Sequence, residues 1–169
     1  MRNDTMEENV DPESVGSEAV EPEPISPEMD ALACAMIDYS LDLLETAGEL
    51  CPSLAVEDGE GGRVLLSFSD DDFEECLTEI RDQLTAAAKG KIQIEGLSGR
   101  PVRYAFSYDG AVENPDSEFS GYEPALIVEY GEHGMTSAYS AYLLYQNAGN
   151  PQEFVWTEPE AAGEGDLLV

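Results

Sequence analysis

The sequence predicts an α+β domain in which two amphipathic helices pack on one face of a mostly antiparallel sheet of about six strands, flanked by disordered acidic ends. Three observations carry this. Apolar residues recur at three- and four-residue steps in two segments of the first half. Through most of the second half they alternate with polar residues. The resulting order, α-β-β-α and then a run of strands, suits helices segregated on one side of an antiparallel sheet rather than repeated βαβ units.

Residues 1–25 hold Pro12, Pro22 and Pro24, many acids and few large apolar groups. Ordering such a stretch costs more conformational entropy than its burial returns, so it is expected to be an acidic tail. Residues 158–169 are expected to be a second tail and 26–157 the single domain. The first helix opens with Ser26 as N-cap, Pro27 at the first position, and Glu28 and Asp30 near the positive end of the dipole. Ala33, Met36, Ile37, Ser40, Leu44 and Ala47 form one face; Asp38, Asp42, Glu45 and Glu49 form the other; Gly48 or Pro52 ends it. A hairpin follows, Ser53–Glu57 and Arg63–Phe68, around a Gly-rich turn at 58–62. Ser69, followed by Asp70, Asp71 and Asp72, is expected to cap the second helix, whose apolar face is Phe73, Cys76, Leu77, Ile80, Leu84 and Ala87 and whose stop is Gly90.

Strands are then expected at Lys91–Glu95, at Val102–Asp109, at Ala125–Tyr130, at Thr136–Gln146 and at Phe154–Trp156. Between them lie a long polar loop, Gly110–Glu123, and a Gly131–Gly134 turn. The helix, strands, helix, strands order is loosely similar to that of type III secretion chaperones, which are also small and acidic; this chain has additional strands.

Charge is the dominant chemical feature. There are 37 acids against 7 bases, a formal net charge of −30. Such a field repels nucleic acid and anionic membrane and attracts cationic proteins. Two other sources of acidity compete: a saline environment, which the presence of only two lysines, Lys89 and Lys91, suits, and the mere lack of selection against an acidic surface. The three cysteines, Cys34, Cys51 and Cys76, form no metal-binding spacing; Cys34 and Cys76 fall on helical patterns and are expected in the core. The amino terminus lacks the apolar stretch of a signal peptide and no apolar run spans a bilayer, so a cytoplasmic location without membrane contact is expected.

No residue set carries the signature of an active site, a metal or a cofactor. Asp116, Glu118, Ser120 and Gly121 begin an EF-hand-like spacing, but its bidentate position is Ile127. His133 sits in a turn. Two constellations remain. Tyr139, Tyr142 and Tyr145, together with Asp38, Asp42, Glu45 and Glu49, are candidates for contacting a protein partner, because tyrosine suits half-wet interfaces. Lys89, Lys91, Arg100 and Arg103 are a candidate patch for an anion or acidic partner. Apolar residues on both faces of the Tyr139–Tyr145 strand leave one face needing a cover, from a partner or a second subunit of a homodimer. The expected function is a non-enzymatic module that binds a basic protein surface, as an inhibitor, immunity-like protein or chaperone does. A DNA mimic that blocks a nucleic-acid-binding enzyme, and an enzyme with an unrecognised site, are the alternatives.

Overall fold

In the computed structural model, residues 22–69, 72–113 and 121–169 are described. The elements are α1 (Pro27–Ala47), β1 (Ser53–Asp58), β2 (Arg63–Ser67), α2 (Phe73–Ala88), β3 (Pro101–Glu113), β4 (Tyr122–Glu132), β5 (Ala138–Gln146), β6 (Val155–Trp156) and β7 (Glu160–Gly165). The strands form one antiparallel sheet in the order β2-β1-β3-β4-β5, and β5 is flanked along its outer side by β6 at one end and β7 at the other. Two helices against a mostly antiparallel sheet is the class that the sequence predicts.

The helices, however, divide between the two faces. β1 and β3 present Ala55 and Ala105 to α1, where Leu32, Met36 and Leu44 are fully buried. The alternate residues Leu54, Val56, Tyr104 and Phe106 pack with Leu77, Ile80 and Leu84 of α2. Successive strand residues point to opposite sides, so α1 and α2 lie on opposite sides of the sheet. This is why Leu54-Ala55-Val56 and Tyr104-Ala105-Phe106 are continuous apolar runs, the signature of a strand buried on both faces. On β1 and β3 the α1 side carries the small residues Ser53, Ala55, Ala105 and Ser107, and the helix approaches closely enough for Ser40 Oγ to lie 2.7 Å from Ser107 Oγ, both fully buried.

Local signals act largely as read. The Ser26 side chain accepts from the Met29 N–H at 3.0 Å, Pro27 opens α1, and Gly48 ends it in the left-handed region at φ 83°. The buried stripe is Met29, Leu32, Met36, Ser40, Leu41 and Leu44, turned slightly from the expected one, so that Ala47 and Cys34 are exposed while Cys76 is buried. The cap of α2 is Asp72, whose carboxylate accepts from the N–H groups of Glu74 and Glu75, rather than Ser69; Asp70 and Asp71 lie outside the described residues.

Three further expectations are corrected. Lys91–Glu95 is not a strand: the segment after Gly90 is irregular and plugs Ile94 and Leu97 into the α2 side of the core. β3 and β4 extend to Glu113 and back to Tyr122, into the expected polar loop, because Gly110 pairs with Ala125 and continues the ladder. Residues 158–169 are not a tail. Glu160–Gly165 add to the free edge of β5, and Leu167, Leu168 and Val169 fold onto the α2 side of the core. On the amino-terminal side, Glu23 accepts from the Thr136 hydroxyl at 2.6 Å and the Tyr139 hydroxyl at 3.0 Å, and Ile25 packs on the α1 core. Ordered structure thus begins before residue 26; residues 1–21 lie outside the described residues.

Two predictions follow from packing. Gly149 holds φ 84°, donates to Leu44 O at 2.8 Å, and approaches Gly48 so closely that an added Cβ on either residue would lie 3.3 Å from the other's Cα. Gly149→Ala is expected to destabilise by about 1–2 kcal/mol from backbone strain, with crowding in addition. Gly121→Ala, with the same φ of 84° and open space around it, serves as the strain-only comparison in urea titrations. Truncation after Thr157 removes β7 and uncovers the Leu167–Val169 contacts; a loss of about 2–4 kcal/mol is expected from the apolar area alone, where a disordered tail would give no change.

Candidate functional site

Arg63, Arg81 and Arg103 are consumed by glutamates of the sheet. Arg103 reaches Glu57 at 2.8 Å and Glu132 at 3.0 Å, and Glu57 also takes Arg63 at 2.6 Å. The Ser26 hydroxyl adds a 2.8 Å bond to Glu132. Burial works to raise the Glu132 carboxyl, but Ser26 and Arg103 outweigh it and hold the group below its usual range. On the other face Arg81 contacts both oxygens of Glu129, at 3.1 and 3.0 Å, lies 5.4 Å from the Phe106 ring centroid, and shares Glu129 with the Tyr108 hydroxyl at 2.6 Å. Burial, followed by that hydrogen bond, pushes the Tyr108 phenol up.

The expected basic patch is therefore divided. Arg103 belongs to the α1 face and its acids. Lys91 and Arg100 line a 320 Å³ cleft at the carboxyl end of α2, where Lys89 is the C-cap residue. Cations there complement the negative end of the helix dipole. No ion pair involves Lys89, Lys91 or Arg100 among the described residues.

The tyrosines divide as well. Tyr139 and Tyr145 are buried on the α1 face; the first donates to Glu23 and the second to Asp109 at 2.7 Å. Tyr142 is half-buried on the opposite face, 3.5 Å from Glu160. Tyr139 and Tyr145 are core residues with satisfied hydroxyls, and the structure does not bring the three together with the α1 acids.

Those acids do form a surface. Asp38 and Asp42 are exposed and Glu45 half-exposed along the outer side of α1, with Glu49 exposed just past its Gly48 cap. With Glu28 and Asp30, α1 carries five carboxylates and no lysine or arginine. No ion pair involves any of the five among the described residues. Glu74, Glu75, Glu79 and Asp82 make a second exposed acidic face on α2, across the sheet. Among the described residues, Glu57, Glu129 and Glu132 of the sheet are thus matched to arginines, whereas the carboxylates displayed on the two helices make no ion pair.

A 370 Å³ cavity between α2 and β7 is lined by Arg81, Glu129, Ser140, Glu164, Asp166 and Leu168 among others; Arg81 and Glu129 are already bound to each other there. Among the described residues no group of three or more His, Cys, Asp or Glu is arranged to hold a metal ion, and no helix is long and apolar enough to cross a membrane. His133 is exposed, its N–H donating to Val102 O at 2.7 Å; Asp116, Glu118 and Ser120 lie outside the described residues.

Sequence reasoning missed the exposed apolar groups Leu65, Phe73, Ile92, Tyr122, Val155 and Trp156. The Trp156 ring centroid lies 5.4 Å from that of Phe154, which lies 6.1 Å from that of Tyr145, both pairs tilted. Only the lone tryptophan of the chain at the end of a predicted strand could have signalled this surface. No protein family, curated protein or solved structure matches this chain.

Proposed function

We propose that this chain is a non-enzymatic acidic module that engages a basic surface of a protein partner, in the manner of an inhibitor, an immunity-like protein or a chaperone. The observation that carries this is the outer side of α1: five carboxylates without a base on the same helix, while Glu57, Glu129 and Glu132 of the sheet are matched to arginines. Unpaired like charges oppose the compact state, and a cationic partner offsets that cost on binding. Opposed charge across an interface raises the association rate more than the raw affinity.

Charge density favours a protein partner over nucleic-acid mimicry. From Glu28 to Glu45 is about 26 Å of helix, so α1 shows about one charge per 5 Å, against one per about 1.7 Å of duplex axis. We place the protein in the cytoplasm, since no disulfide joins Cys34, Cys51 or Cys76.

The test is affinity capture from native lysate at low and at physiological salt, then binding kinetics with the purified partner. A stoichiometric basic protein whose association rate falls as salt rises supports the proposal. Capture of nothing, or of a partner whose rate ignores salt, contradicts it.

A further inference from the structure

Among the described residues β2 is the terminal strand of the sheet and pairs only with β1. Two bonds fix its phase: Asp58 N–H to Gly62 O at 3.0 Å and Phe68 N–H to Pro52 O at 2.8 Å. Hydrogen-bonded pairs alternate along an antiparallel ladder. Val64 and Leu66, opposite Val56 and Leu54, therefore bond inward, and Arg63, Leu65 and Ser67 direct their N–H and C=O groups away from the sheet.

Free edges are ordinarily blunted by charge, proline or a bulge. At the opposite margin β7 carries Glu160 and Glu164 with Gly163 and Gly165. β2 has no proline, its register with β1 runs without a shift, and its one charge, Arg63, is held by Glu57 at 2.6 Å. Its side chains offer alternating apolar contacts. Leu65 is 47% exposed on the α1 face. On the α2 face lies a 270 Å³ cleft whose lining includes Leu66, Phe68, Ile92 and Ile94. Carboxylates flank both sides. Glu95 lines the cleft, and the Tyr39 hydroxyl, 3.4 Å from Ser67 Oγ, sets α1 over the strand with Asp42 one turn further on.

We infer that β2 is a strand-addition site for an extended, basic segment of the partner protein, whose backbone pairs with Arg63, Leu65 and Ser67 and whose alternate side chains enter the cleft. This rests on the proposed function in taking the partner to be cationic. A second copy is disfavoured as occupant, because it would bring one net charge of −30 against another.

The test uses the full chain and a short labelled peptide that alternates lysine with valine, read by fluorescence anisotropy at physiological salt. Binding is expected to weaken about tenfold or more when the central valine becomes proline, which keeps the charge but cannot add as a strand. Glutamate in place of lysine is expected to abolish it. Leu65→Pro is expected to cause a similar loss, since the N–H it removes points away from β1 and bonds nothing among the described residues. Leu65→Lys, which leaves the ladder intact, is expected to do the same by repelling the cation. Equal binding of the proline-interrupted peptide, full binding to Leu65→Lys, or no binding of the lysine peptide overturns the inference. So does a concentration-dependent dimer in sedimentation that Leu65→Lys abolishes. If the edge variants have no effect while neutralising Asp38, Asp42 and Glu45 weakens the peptide, the edge fails and the acidic-module proposal stands.

Discussion

Arg103→Ala is expected to destabilise the fold by about 2–4 kcal/mol, below the full range for a buried pair because the site keeps some contact with water. The side chains involved are 19% exposed for Arg103, 13% for Glu57 and 16% for Glu132, so removing the guanidinium strands two largely dehydrated carboxylates against the α1 face. Arg63 still reaches Glu57, and Ser26 still reaches Glu132, so the loss is partial. Because Glu132 titrates below its usual range in the folded state, its contribution is complete above the ordinary glutamate value and is lost as pH falls through the lowered one. The difference between wild type and Arg103→Ala is therefore expected to be full at neutral pH and to shrink in acid. Urea titrations across that window measure it, and Arg103→Met combined with Glu57→Gln and Glu132→Gln is expected to recover most of the stability. An undiminished Arg103→Ala protein would show that the pairs only decorate the surface.

Asp58→Asn is expected to be the most damaging exchange of an acid for its amide. Asp58 is 2% exposed and its carboxylate accepts four backbone N–H groups: Glu60 at 2.9 Å and Gly62 at 2.8 Å on one oxygen, Ser98 at 2.8 Å and Gly99 at 3.0 Å on the other. It thereby ties the β1–β2 turn to the irregular segment before β3. These bonds, Gly99's foremost, hold the carboxyl down at about 2. An amide presents an NH₂ to two N–H donors where the acid presented an oxygen. The sign follows from the lowered value: stability from this group is complete above about pH 4 and falls away as pH drops toward 2. Asp58→Asn is thus expected to melt well below the exposed comparison Asp82→Asn at pH 7, and the gap is expected to narrow toward pH 2 in calorimetry.

Much of this framework was legible because it is local. Ser26, Pro27 and Gly48 bracket α1 as capping chemistry requires, and period-two alternation places Tyr139, Leu143 and Tyr145 on one strand face. What was illegible depended on partners distant in sequence. Glu-Ala-Ala-Gly-Glu-Gly has no strand propensity, and β7 exists because the edge of β5 supplies a template. Lys91–Glu95 alternates like a strand but finds no partner, since Ile94 and Leu97 are drawn into the core. The continuous run Leu54–Val56 held the clue that both sheet faces are covered, and the alternation of later strands obscured it. Spacing showed that Asp38, Asp42 and Glu45 share a helix side; it could not show that Arg63, Arg81 and Arg103 are spent on sheet glutamates, which leaves that side unmatched.

The central claim, that the α1 acids serve recognition rather than folding, is tested most directly by neutralising Asp38→Asn, Asp42→Asn and Glu45→Gln together. Unfolding midpoint and partner capture are then measured at physiological and at molar salt. The variant is expected to be at least as stable as wild type, from relieved self-repulsion, and to lose its partner at physiological salt. A wild type that folds only in molar salt, or a neutralised variant that captures the partner as well as wild type, would contradict it.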